Sequence, residues 1–271
     1  PRSTLFPYTT LFRSDVGDAV VYKSHPEISI EGAWTAEHVS KEIKKLKSLG
    51  ISLYPKLNLS TTHDAWLGEY GKMVSTQIYY DVCKDLIHEV IDMFENPEYL
   101  HLGMDEEWDE WGIFGVRRDL ECSRFNDLYF HDLTFFCDCV REKGSTPWFW
   151  CDSYWKYPER FLETVPRDVV LSPWYYDNLY GERINPNMKP ILHESLVDLP
   201  KAGYKIVACG SNDLKADNIE QMLRYAKEKI DDTNLMGFMM ASWVPTKEER
   251  KYTVWEGIQL LENARKKYYA E

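Results

Sequence analysis

From residue 19 onward, short runs rich in β-branched and aromatic residues alternate with longer stretches whose apolar positions recur every three or four residues. The short runs are Ala19–Tyr22, Ile51–Leu57, Tyr99–Met104, Pro147–Cys151, Val169–Pro173, Lys205–Cys209 and Leu235–Ala241, all of strand length. In Ala36–Ser48, Val39, Ile43 and Leu46 fall on one helical face, with Lys and Glu elsewhere. Asp81–Phe94, Asn126–Glu142, Asp217–Ile230 and Glu248–Tyr269 carry the same period. Gly50, Gly144 and Gly203 each stand where a helix must stop before the next strand. Strand–helix alternation of this kind predicts an α/β fold with a parallel sheet. The pattern favours a (β/α)8 TIM barrel missing its first strand–helix unit. A doubly wound open sheet is the other solution, but no strand is followed by a glycine-rich phosphate loop; GSNDL after Cys209 lacks the fingerprint. With no repeat or linker, residues 15–271 read as one domain. Residues 1–14 show neither period, and LFPYTTLFRS looks like a translated sequencing-adapter oligonucleotide; this segment is expected to lie outside the fold.

Composition narrows the function. No window approaches 18 consecutive apolar residues, so no membrane-spanning helix is expected. A formal charge of −12 argues against a nucleic-acid partner, since phosphate binding needs clustered Lys and Arg. The six cysteines have no metal-ligand spacing and read as reduced structural thiols; no cofactor motif is present. Localisation stays open, because a leader peptide would precede the segment seen here. Ten Trp and 18 Tyr, many in loop-like positions, offer flat faces suited to sugar rings.

Parallel barrels keep their chemistry at the C-terminal ends of the strands. Those ends bring His63 and Asp64; His101, Asp105 and Glu106; Trp150, Asp152 and Trp155; Trp174, Tyr175 and Asp177; Asn212 and Asp213; and Trp243. This ring of carboxylates and aromatics holds no basic residue and suits a neutral polyhydroxylated ligand. In YLHLGMDEEW, alternation puts His101, Gly103 and Asp105 on one side and Leu100, Leu102 and Met104 on the other, with Glu106 opening the loop. Two carboxylates so close cannot both ionise freely, so one is expected to hold a proton, as acid-assisted glycoside cleavage requires. Glu107, Asp109 and Glu110 read as solvated loop. Asp152 is either a sugar ligand or the cap of a helix at Tyr157–Thr164. A metal on His63, His101 and Asp105 is the weaker alternative, lacking further strand-end histidines.

HLGMDE is similar to the H-x-G-G-D-E motif of glycoside hydrolase family 20, the β-N-acetylhexosaminidases. The resemblance extends upstream through GAWTAEHVSKEIKKLKSLGISLYPKLNLSTTHDAW and, more weakly, to WFWCDSYW, SPWYYD and ASWVPT. It implies a divergent, N-terminally truncated member. Glu106 would be the general acid/base, and Asp105 would steady the substrate's own 2-acetamido nucleophile. His63 with Asp64 would polarise Glu106, the other reading of that pair being a helix N-cap region; Trp150, Trp174 and Trp243 would wall the sugar pocket, and the strand-end residues His101, Asp152 and Tyr175 are further substrate-binding candidates. Pro55-Lys56-Leu57-Asn58 stands where the family has Pro-Glu-Ile-Asp, and Val244-Pro245 where a sugar-gripping glutamate follows the last tryptophan. A barrel that binds carbohydrate without turnover is therefore a second possibility, and a metal-dependent hydrolase a third.

Overall fold

The computed structural model describes residues 10–107, 124–178, 180, 191–231, 233–245 and 247–269. By their contacts these residues divide into two compact units, 10–153 with 157–169, and 154–156 with 170–269, where the sequence suggested one domain. The first unit carries β1 (Thr10–Asp15), α1 (Ala36–Ser48), β2 (Ile51–Lys56), α2 (Gln77–Met93), β3 (Tyr99–His101), α3 (Asp127–Glu142) and β4 (Thr146–Trp150). The chain then turns through the short α4 (Ser153–Lys156) into α5 (Pro158–Thr164), the last helix of this unit. The second unit carries β5 (Val170–Ser172), α6 (Ile191–Lys201), β6 (Lys205–Ser211), α7 (Asn218–Lys229), β7 (Leu235–Ala241) and α8 (Lys251–Tyr269).

Within each unit the strands are parallel and lie side by side in sequence order, β1 to β4 in one and β5 to β7 in the other. Doubly wound sheets reverse their order at a switch point; barrels do not. The winding is therefore that of a barrel-type α/β fold. Helix boundaries follow from local chemistry. Thr35 and Thr76 cap α1 and α2, accepting the His38 and Tyr79 N–H groups at 3.3 Å. Leu86, Ile87 and Val90 of α2 and Phe136 and Val140 of α3 are fully buried. Each such burial contributes about 1.5–3 kcal/mol, so the apolar stripes fix both helices against the sheet.

Three expectations are corrected. Thr10–Asp15 pairs with β2 from Thr10↔Ile51 to Asp15↔Lys56, so residues 10–14 belong to the fold and the boundary expected after residue 14 does not hold; residues 1–9 lie outside the described set. Ala19–Tyr22 is not a strand. After a 3-10 turn at Gly17–Ala19, only a two-bond ladder to Trp34 forms (Val21 N to Trp34 O 2.9 Å, Trp34 N to Ala19 O 2.8 Å). Its apolar run reflects Val20 and Tyr22 buried under a loop. Finally, β3 stops at His101 because Gly103 and Met104 take φ of 75° and 69°, which no strand accommodates. Five cysteines, Cys83, Cys137, Cys139, Cys151 and Cys209, are free and buried; Cys122 lies outside the described residues. Among the described residues no helix is long and apolar enough to cross a membrane.

Candidate active site

The segment after β3 is held on every side by neighbouring elements of the first unit. Its backbone continues the ladder past the formal strand end, with Leu59 N donating to Leu102 O at 3.0 Å and Trp150 N to Gly103 O at 3.0 Å. Gly103 is obligatory: a Cβ there would sit 2.1 Å from Asn58 Oδ1 and 2.7 Å from Asn58 Cα. Tyr129 OH donates to Met104 O at 3.1 Å, and Ser60 Oγ donates to Asp105 O. Glu106 N donates to Asp152 Oδ2 at 2.8 Å. Met104 and Glu106 (φ 51°) are both left-handed without being glycine. Each costs on the order of 1–2 kcal/mol, and strain of this kind concentrates at functional sites.

The two carboxylates have different surroundings. Asp105 is buried, and its Oδ1 accepts from Asn58 Nδ2 at 2.9 Å. Glu106 is about one-third exposed, and its Oε2 lies 3.1 Å from His63 Nε2, which also stands 3.6 Å from Asp105 Oδ2. Burial works to lower the His63 pKa, but the hydrogen bond to Glu106 and the charges of Asp105 and Glu106 outweigh it and raise it. Asp64 is buried at the start of the turn after His63, against Gly71. His101 is fully buried; burial, then the Arg13 and Lys56 charges, drive it well below the usual histidine range, and its Nδ1 accepts Gly103 N–H at 3.0 Å. Trp150 is fully buried, edge-on to His101 at 5.1 Å, with the Arg13 guanidinium 4.6 Å over its ring.

Asp152 caps neither neighbouring helix: α5 starts from Tyr157, and no side-chain cap bond precedes α4. Burial, reinforced by the charges of Asp105 and Glu106, pushes its carboxyl up to about 8, against the lowering effect of the Glu106 N–H bond. Asp152, which the sequence left open between a sugar ligand and a helix cap, is thus a carboxyl that holds its proton at neutral pH.

Glu107 corrects the sequence reading outright. It is fully buried rather than solvated. Its carboxylate accepts from Arg124 Nε at 2.7 Å and Nη2 at 3.1 Å, and from Thr61 N and Oγ1 at 3.0 Å each. Arg124, also fully buried, reaches Asp132 of α3 at 3.2 Å and the Leu59 carbonyl at 2.5 Å. Asp109 and Glu110 lie outside the described residues. Nor is the interior free of basic groups: Lys56 is buried and paired with Asp15 at 3.0 Å, and Arg13 enters from β1. Arg13 lies inside β1, and Lys56 is the last residue of β2, where the buried ion pair with Asp15 accommodates its charge.

In the second unit Trp174 packs edge-on to Trp155 (4.6 Å) and stacks on Tyr176 (5.1 Å, 22°), which meets Trp243 at 6.0 Å. Trp243 is 47% exposed. Tyr175 is buried instead among Tyr180 and His193. Alternation in SPWYYD carried that signal, since Trp174 and Tyr176 share a face and Tyr175 takes the other.

Fold and site together define a parallel α/β fold of the barrel-forming kind with a buried aspartate and a partly exposed glutamate side by side after one strand. No protein-family profile matches the chain, and no curated sequence is similar to it. Among solved structures it resembles family GH20 enzymes. With the exo β-N-acetylglucosaminidase of Vibrio harveyi the TM-score is 0.64 at 13% identity, over 94% of this chain and 49% of that one. A second GH20 β-N-acetylglucosaminidase gives 0.65 at 10% identity, over 96% and 63%. The Flavobacterium johnsoniae chitobiase gives 0.55 at 16%, over 95% and 48%. The chain therefore shares the fold of these proteins and spans about half to two-thirds of their length.

Proposed function

We propose that the chain is a glycoside hydrolase acting on β-N-acetylhexosaminides, with Glu106 as the general acid and base. One observation carries this reading: Asp105 is buried and hydrogen-bonded by Asn58, while its neighbour Glu106 is about one-third exposed and lies on His63. Glu106 gives a proton to the leaving oxygen and then takes one from water. Asp105, held by the Asn58 hydrogen bond, orients the substrate's acetamido group and balances the charge that develops as that group attacks the anomeric carbon. This is substrate-assisted hydrolysis, without a protein nucleophile. His63 steadies whichever charge Glu106 carries. Taken by itself, the second unit's cluster of Trp174, Tyr176 and Trp243 offers aromatic faces of the kind that suit sugar rings. Fold alone does not carry function, so the support lies in the carboxylates.

The test is hydrolysis of paired nitrophenyl β-glycosides, with and without the 2-acetamido group, together with inhibition by a bicyclic thiazoline that mimics the cyclised intermediate. Turnover confined to the N-acetylated sugar, with thiazoline inhibition, supports the reading. Binding without turnover moves the chain to the carbohydrate-binding barrels. A second reading has its own observation: His63, Asp105 and Glu106 each bring one metal-ligand atom within 4.8 Å of the others. His101, the other ligand considered from sequence, is committed to Gly103. Activity lost to a chelator and restored by zinc would favour that reading.

A further inference from the structure

The Glu106 N–H is directed at a single side chain. Its acceptor, Asp152 Oδ2 at 2.8 Å, comes from the loop after β4, across from the turn after β3. Asp152 is only 6% exposed, and its Oδ1 has no hydrogen-bond partner among the described residues. An aspartate just before a helix ordinarily turns its carboxylate onto that helix's first N–H groups. Here no such cap bond forms, and the carboxyl reaches the neighbouring loop instead. The group it reaches is the backbone of Glu106, a non-glycine residue at φ 51°. That φ decides where the Glu106 side chain points, and in this conformation it lies 3.1 Å from His63 Nε2. The other restraints on the turn act elsewhere: Tyr129 on the Met104 carbonyl, Ser60 on the Asp105 carbonyl, and Thr61 with Arg124 on the Glu107 side chain.

We propose that Asp152 is a positioning residue whose carboxyl oxygen, through the Glu106 N–H, holds Glu106 in the left-handed turn that delivers its side chain to the reaction. The inference rests on the reading of Glu106 as the acid and deepens it. Without this acceptor the Glu106 backbone relaxes toward right-handed or extended conformations, and the carboxyl swings off His63. A misplacement of about 1 Å at a catalytic group lowers rate by roughly 100-fold. Asparagine at 152 keeps an oxygen in the same place; alanine does not.

The experiment compares kcat and KM of wild type, Asp152→Ala, Asp152→Asn and Glu106→Ala on dinitrophenyl and phenyl N-acetyl-β-glucosaminides. Dinitrophenolate departs without a proton and phenoxide does not, so in kcat/KM, which reports departure of the phenol before water attacks, a misplaced acid is felt only with the phenyl substrate. A general folding defect lowers both alike. Asp152→Ala should lose roughly 10- to 100-fold in kcat on the phenyl glycoside, with KM steady there, and little in kcat/KM on the dinitrophenyl one, with Asp152→Asn recovering most of the loss. If Glu106→Ala spares the phenyl substrate, the acid assignment itself fails. If Glu106→Ala abolishes that turnover while Asp152→Ala spares it, or lowers both substrates equally, only the positioning role is overturned. Amide hydrogen exchange in the wild-type chain needs neither a substrate nor a variant. The Glu106 amide should be protected, and free exchange there overturns the proposal.

Discussion

Glu107→Gln is a near-isosteric change to a residue adjacent to the candidate acid, and the structure predicts that it unfolds rather than disarms. Glu107 Oε1 accepts from Arg124 Nε, the Arg124 backbone N–H and Thr61 Oγ1; Oε2 accepts from Arg124 Nη2 and the Thr61 N–H. Whichever way a glutamine amide is turned, its NH2 group faces two or three donors. The guanidinium, 0% exposed, then keeps Asp132 as its remaining carboxylate. Removing one partner of a buried ion pair costs about 3–5 kcal/mol, because the other charge is left desolvated. In urea, with a slope of about 2–3 kcal/mol/M, the midpoint should fall by roughly 1–2 M with the slope unchanged. Tryptophan fluorescence and far-ultraviolet dichroism, followed together, report the transition, with exposed Glu159→Gln as control. The triple variant Glu107→Leu, Arg124→Met and Asp132→Asn should recover much of the loss, since it removes every charge of the buried cluster and apolar replacement of a whole buried ion pair or triad is often neutral. A Glu107→Gln shift no larger than that of Glu159→Gln would refute the buried clamp and return Glu107 to solvent.

Gly103→Ala should cost several kcal/mol and reduce activity as well, because relief of the 2.1 Å contact displaces Asn58 from Asp105; melting temperature and kcat check it, and an unchanged melt would contradict it. Asp152 holds its proton to about pH 8 when folded but only to about 3.8 when unfolded, so the native state binds more protons across that window. Its contribution is present at acid pH and lost as pH rises from 4 to 8. Asp152→Asn should therefore gain stability relative to wild type along that range, and a pH-independent difference in melting temperature would count against the raised carboxyl.

Much of the fold was legible because α1, α2 and α3 bury well-formed apolar stripes and end at glycines or caps that leave little choice. The strand at Thr10–Asp15 was not, since TLFRSD earns its place only by pairing with β2. The helix Ile191–Lys201 escaped because prolines 190 and 200 bracket a pattern too short to declare itself. At the site, Asp105, Glu106 and His63 were picked out by strand-end position, and the structure brings them together. Glu107 was misread because burial of a charge depends on a partner, and Arg124 lies 17 residues further on. Asp152 and Tyr176 show the same limit: one is defined by a bond to another loop, the other by which face of a short segment packs.

Glu106 as proton donor is the central assignment, and one rate constant tests it. In Glu106→Gln, kcat/KM for an N-acetyl-β-glucosaminide with a poor leaving group, such as the phenyl glycoside, should fall by about 100- to 10,000-fold, with affinity for N-acetylglucosamine retained. A variant that keeps turnover of that substrate within a few-fold of wild type would contradict the assignment, however well the carboxylate pair is placed.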